Sequence, residues 1–210
     1  MNAVSSFRAF AKSATYRENT LRAKASWEGV FERIAYFGSP EPELRSDRTT
    51  FVPYEGWPFI WELAAYAAQL PGYTAIINSD IVVTPVLLDV VRVMEAAGVA
   101  AATSRRYDLA TGILFDNDKG RDIFILRRRW WSKVAAAVPK SCRIGHNQWD
   151  SWMIGFLRYE AKTRFADFTM AKCIFHPAHE GRDMPHDAEV DINSKYKGYW
   201  NGTFDPQIKL

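Results

Sequence analysis

The rhythm of apolar and polar positions changes along the chain so that short strands alternate with helices. Residues 73 to 80, Tyr-Thr-Ala-Ile-Ile-Asn-Ser-Asp, are an apolar run that gives way to polar side chains and ends on a carboxylate. That predicts a buried strand with Asp80 at its carboxyl end, where open α/β sheets keep their ligands. Before it, Phe59, Ile60, Leu63, Ala64 and Ala67 recur at helical spacing, and Pro71-Gly72 stops the helix. After it, Thr84 predicts an N-cap with Pro85 at the first helical position. Val86, Leu87, Val90, Val91 and Met94 then share one face, and Gly98 ends the helix. Val99 to Thr103 predicts the next strand. Helix, strand, acidic loop, helix, strand is the order of a mainly parallel sheet with crossover helices, an α/β fold.

The remaining elements follow the same logic. Residues 7 to 12 alternate as a strand, and 16 to 31 have helix-forming composition with Leu21, Ala25 and Trp27 facing inward. Residues 34 to 37 predict a second strand ended by Gly38-Ser39-Pro40, and 51 to 54 a third. Residues 122 to 126 lead into a helix around 130 to 138, and Asn147 caps one whose Trp149, Trp152, Met153, Phe156 and Leu157 share a face. Residues 165 to 175 are strand-like, and from His176 onward the chain is polar and irregular.

Composition narrows the class. A chain of 210 residues with 48% hydrophobic side chains fits one domain with a sizeable core. No apolar run approaches the roughly 20 residues that span a bilayer, and no leader-like stretch follows the first charges, so a cytoplasmic protein is expected. Cys142 and Cys173 lack metal-ligand spacing and predict two reduced thiols. A net charge of +3 permits a polyanionic partner without demanding one.

The order of strands and helices up to Asn78-Ser79-Asp80 resembles the nucleotide-sugar-binding half of GT-A glycosyltransferases. There the tripeptide is D-x-D, and its last Asp reaches a divalent cation held against the donor diphosphate. Residues 120 to 125 resemble the strand after the D-x-D helix, Trp149-Asp150 the acidic acceptor-side motif, and His176 or His179 the late metal-binding histidine. The resemblance implies one GT-A-like unit: residues 1–104 as the nucleotide-sugar half, 105–180 as the acceptor half and 181–210 as an irregular tail. Its first position here is Asn78, which brings no charge, so Asp80 would hold the cation with a histidine, phosphates and water. Magnesium and manganese both accept such a set, and an imidazole tilts the choice toward manganese.

The implied activity is metal-dependent transfer of a sugar from a nucleoside diphosphate to a hydroxyl. A cation stabilises the charge that develops on the departing phosphate, and a carboxylate opposite takes the acceptor's proton. Asp150 is the candidate base, and it also suits a cap role three residues after Asn147. Trp149 and Trp152 offer flat surfaces to a sugar or base, or belong to the core. Thr15, Arg17, Asn19 and Arg22 bring donors to a helix start that favours phosphate, and family analogy places them, with Glu55, on the nucleotide. Asn78, Ser79 and Arg105 complete the donor side, and Arg105 with Arg106 are candidates for phosphate or for the acceptor. The acceptor is a glycan, a protein side chain or a hydroxylated base in DNA, the last suggested by the basic run Arg127 to Trp131. Two other classes compete. One is a two-metal phosphodiesterase or nuclease using Asp108, Asp116, Asp118, Asp122 and the tail histidines. The other is a non-catalytic nucleic-acid-binding module built on Arg127 to Arg129, for which a pI of 8.8 is low.

Overall fold

The computed structural model describes residues 1–7, 13–115, 121–144, 149–160, 165–177 and 208–209. Among them the strands are β1 (Asn2–Ser6), β2 (Arg33–Phe37), β3 (Thr49–Val52), β4 (Tyr73–Ile77), β5 (Val82–Val83), β6 (Ala101–Thr103), β7 (Tyr107–Asp108), β8 (Ile123–Arg127), β9 (Phe165–Asp167), β10 (Ile174–His176) and β11 (Ile208–Lys209). The helices are α1 (Ala14–Trp27), α2 (Ile60–Ala67), α3 (Val86–Ala96), α4 (Arg128–Ala137) and α5 (Trp149–Gly155). The large sheet has the order β11-β9-β6-β8-β4-β1-β2-β3, and β5, β10 and β7 form a small second one. The expected α/β architecture is present, a mainly parallel sheet flanked by helices. β8 is the exception, antiparallel to both β4 and β6.

Alternation along the strands divides the core between the two faces of the sheet. Ala75, Ile77, Ile123 and Ile125 join Trp27, Leu87 and Met94 from α1 and α3. Ile76, Phe124 and Leu126 join Leu63, Trp131 and Met153 from α2, α4 and α5. β4 and β8 are buried on both faces, which is why each is apolar but for Thr74 in β4 and Arg127 at the end of β8.

Several boundaries differ from the sequence reading. The first strand is Asn2–Ser6, not 7 to 12, and residues 8–12 lie outside the described set. Three of its five residues are polar, so no alternation advertises it. Asn2 Nδ2 donates to the Pro71 carbonyl at 2.8 Å and Ser5 Oγ to the Ile77 carbonyl at 2.6 Å, which makes their burial tolerable. In α1 the inner face is Asn19, Thr20, Ala23 and Trp27, whereas Ala25 is exposed and Leu21 half-buried. Trp27 sets that face by donating from Nε1 to the Ile81 carbonyl at 2.7 Å. At α3 Thr84 serves through its carbonyl, accepting from Leu87 N at 3.0 Å, with no side-chain cap. Gly98 closes that helix with φ 64, a left-handed conformation suited to glycine. The stretch 165 to 175 is two strands, broken by a 3-10 turn at Thr169–Ala171 and by Lys172 at φ 48. Cys142 and Cys173 are free and buried, as expected of reduced thiols. Asn147 and most of the tail lie outside the described residues, and no described helix is long and apolar enough to cross a membrane.

Candidate functional site

β4 runs out of core at Asn78, and the next residues turn at the edge of the sheet where the parallel strands end. Ser79 is buried there, its Oγ 3.0 Å from the Tyr16 hydroxyl, which ties the start of α1 to the tripeptide. One residue later Asp80 meets His176: the distance from His176 Nε2 to Asp80 Oδ2 is 3.3 Å, with side chains 12% and 18% exposed. The small sheet makes this meeting. β5 begins two residues after Asp80, β10 pairs antiparallel with it through Ile174↔Val83, and His176 is the last residue of β10.

On the other side of Asp80 the antiparallel seam of β4 and β8 continues one step past Ile77↔Ile123. Asn78 N donates to the Asp122 carbonyl at 3.0 Å and Asn78 Nδ2 to Asp122 Oδ1 at 2.6 Å. Arg106 Nη1 pairs with Asp122 Oδ2. Burial raises the Asp122 carboxyl above its ordinary value against the pull of Arg106 and His176, and the Asp80 charge raises it further. Asp80, His176, Asp122 and Arg106 thus share one electrostatic neighbourhood. Phe115 closes it, with the Arg106 guanidinium 5.5 Å from its ring centre and the His176 ring edge-on at 6.4 Å.

Asp150 lies in the first turn of α5. Its Oδ2 accepts from Arg121 N at 2.9 Å and its Oδ1 from Ser151 N at 2.8 Å. Removal from water lifts its carboxyl from 3.8 to about 6, those two N–H bonds opposing the rise. Arg121 also reaches Asp167 Oδ2 at 3.5 Å, while Asp167 Oδ1 accepts from Thr169 N at 2.7 Å.

The donor-side candidates are less gathered. Asn19 is buried on the inner face of α1. Thr15 and Glu55 are exposed. Arg17 pairs with Glu43 at 2.7 Å and Arg22 with Glu18 at 3.0 Å, both at the surface. Arg105 is held by its backbone, which donates to Thr169 Oγ1 at 2.9 Å. Trp149 and Trp152 belong to the core, Trp149 against Phe124 at 5.4 Å and Trp152 stacked on Phe156 at 5.0 Å, so neither is an open platform. Tyr16 and Asp167 carried no sequence signal, since neither belongs to a motif. His179 lies outside the described residues.

Among the described residues, some of the competing classes' candidates are engaged elsewhere. Asp116 and Asp118 are outside the described set, Asp108 spends its carboxylate on Ala110 and Thr111, and Asp122 is committed to Asn78 and Arg106. Among the described residues no group of three or more His, Cys, Asp or Glu could hold a metal ion. In the basic run Arg128 and Arg129 are exposed, but its other members are engaged. Arg127 Nε donates to Tyr73 Oη at 2.9 Å, Arg128 Nε to the Ala68 carbonyl at 2.8 Å, and Trp130 and Trp131 are buried.

The Asp80 and His176 atoms do fit a single cation. Two ligands at right angles on an octahedral ion, each about 2.1 Å away, stand about 3 Å apart, close to the 3.3 Å observed. Such an ion would take its remaining ligands from phosphate oxygens and water.

No protein-family model and no curated protein matches the chain. Solved structures do resemble it in fold. A 4-diphosphocytidyl-2C-methyl-D-erythritol synthase from Anaerococcus prevotii superposes with a TM-score of 0.51, at 8% identity, over 93% of this chain and 97% of its own. A protein described as a nucleotide-diphospho-sugar transferase from Desulfovibrio desulfuricans gives 0.51 at 11% identity, over 95% and 97%. The chain spans only 49% of the bifunctional IspDF from Campylobacter jejuni, at 13% identity and a TM-score of 0.48, too distant to carry an argument. At these identities the likeness shows the fold alone.

Proposed function

We propose that this chain is a nucleotide-sugar-dependent transferase that moves a sugar from a nucleoside diphosphate to a hydroxyl acceptor, with manganese or magnesium held by Asp80 and His176. The observation that carries this reading is the 3.3 Å approach of His176 to Asp80 at the carboxyl edge of the sheet. A separate small sheet brings an imidazole from far along the chain onto the last acid of the tripeptide. The fold likeness to a nucleotide-diphospho-sugar transferase supports the same class.

The bound cation would neutralise charge on the departing diphosphate. Asp80 and His176 would hold that ion, and the hydrogen bond between Tyr16 and Ser79 steadies the turn that carries Asp80. In the transfer the bond from the anomeric carbon to the β-phosphate oxygen breaks and its electron pair stays on the phosphate. The acceptor oxygen bonds to that carbon, and its proton passes to Asp150. A carboxyl raised to about 6 suits a base working near neutral pH. A single such base favours inversion at the anomeric carbon.

Thermal unfolding with a panel of nucleotide sugars and manganese tests the reading. One nucleoside diphosphate series should stabilise the protein, by about 2.7 kcal/mol at a hundredfold excess over Kd. Asp80→Ala should abolish that shift and leave the unliganded transition in place. No shift with any donor, or an equal shift in the variant, removes the proposal. A hydroxymethylated DNA duplex, a glycan and a peptide, each assayed for added sugar mass, sort the acceptor classes.

The likeness to a diphosphocytidyl-product synthase favours one second reading, nucleotidyl transfer to a sugar phosphate. The products separate the two: pyrophosphate release marks nucleotidyl transfer, nucleoside diphosphate release marks sugar transfer.

A further inference from the structure

We infer that Arg106 is the side chain of this site that contacts the donor's phosphates, and that Asp122 is the positioning residue that holds it there. This rests on the reading of Asp80 and His176 as the diphosphate-binding edge.

The described arginines sort by where their charge is spent. Arg17 and Arg22 pair at the surface of α1, Arg127 joins β8 to Tyr73 of β4, Arg128 reaches the Ala68 carbonyl at the end of α2, and Arg121 points to Asp167. Arg106 has its ion pair in the Asp80 and His176 neighbourhood, through Asp122. Its side chain is 15% exposed and that of Asp122 is 9%, so this is no solvated surface charge. Three constraints fix it. Asp122 binds the guanidinium, Phe115 lies against its flat side, and β7, which begins at the next residue, is paired in register with β10, Tyr107↔Phe175 and Asp108↔His176. The small sheet that delivers His176 therefore delivers Arg106 too.

The charges call for such a residue. Asp80 and Asp122 together outweigh Arg106 by one negative charge, and a divalent cation turns the set net positive, fit to receive a diphosphate. Without the arginine the acids would merely cancel the cation. A guanidinium presents five N–H donors in a planar fork that matches phosphate oxygens, so a phosphate can join the Asp122 pair as a second anion. A lysine ammonium would supply charge without the fork.

The test is binding to the intact chain with manganese, comparing a nucleoside diphosphate with the corresponding nucleoside. Arg106→Gln keeps a hydrogen bond to Asp122 and removes the charge. It should weaken nucleoside diphosphate binding about 10- to 100-fold, as loss of a charge-assisted hydrogen bond does, leave nucleoside affinity unchanged, and make binding of manganese alone no weaker, since the site loses a positive charge. Arg106→Lys should recover part of the loss, and it serves as the readout if the glutamine variant folds poorly. A purely structural residue would lower both affinities together or neither, and either pattern overturns the inference while the wild-type diphosphate affinity stands. Failure of the wild-type chain to bind any nucleoside diphosphate overturns the site reading as well.

Discussion

The start of α1 and the seam between β4 and β8 both join arginines to acids, yet the two regions use the same chemistry to different ends. On α1, Arg17 with Glu43 and Arg22 with Glu18 stand 41–70% exposed, where water and salt screen them and each pair is worth about 0–1 kcal/mol. At the seam, Arg106 with Asp122 has lost most of its water, and removing one partner of such a pair costs about 3–5 kcal/mol. A pair of arginine and carboxylate is thus interchangeable surface charge in one place and a fixed part of the site in the other. What separates them is the strand beside them.

Breaking the seam should give the largest effect. Asn78→Asp sets a carboxylate where the Asn78 amide now donates to Asp122 at 2.6 Å. The variant should lose about 3 kcal/mol in urea denaturation. The double variant Asn78→Asp with Asp122→Asn reverses donor and acceptor, but it also takes the carboxylate from Arg106, so it should recover only part of the loss. Equal stability of the single variant and the wild type would show that the seam is not what fixes the tripeptide.

Asp150 stands between the two extremes, and pH sharpens its place. Its folded carboxyl, lifted to about 6 from 3.8, binds a proton more readily than in the unfolded chain. Its contribution to stability is therefore fullest below the ordinary aspartate range and is lost as pH rises from about 4 through about 6. Asp150→Asn should flatten that part of the stability profile, keep donor binding and abolish transfer, while wild-type transfer falls as pH drops below about 6. Wild-type transfer by the variant would leave Asp150 only its contacts to Arg121 and Ser151. At the small end, Arg22→Ala should change stability by no more than about 0.5 kcal/mol. A larger change would mean that α1 is not the screened surface its exposure describes.

The sequence reveals the parts of the fold that repeat a simple rhythm. β4, α2 and α3 are legible because full burial and helical spacing leave unbroken signatures, and Asp80 is legible because it ends one of them. β1 is not, since Asn2, Ser5 and Ser6 are buried polar residues whose partners come from distant carbonyls. His176 could be named as a candidate from its place late in the chain. The small sheet that aims it is invisible, because β5 and β7 have two residues each. Asp122 stands out as an acid, but not as the partner of Asn78, because pairing across β4 and β8 is a fact of register alone.

That register carries a cost in tolerance. Because β8 runs against β4, Asp122 opens one strand at the point where Asn78 leaves the other, and the two are opposite only for one alignment of the ladder. Sliding β8 by a single residue would face Asn78 with Arg121 or Ile123 and turn every side chain of the strand to the wrong layer. Insertions and deletions within these ten paired positions should therefore be lethal to the site, whereas length changes in the exposed turn around Ala110 to Gly112 can be absorbed.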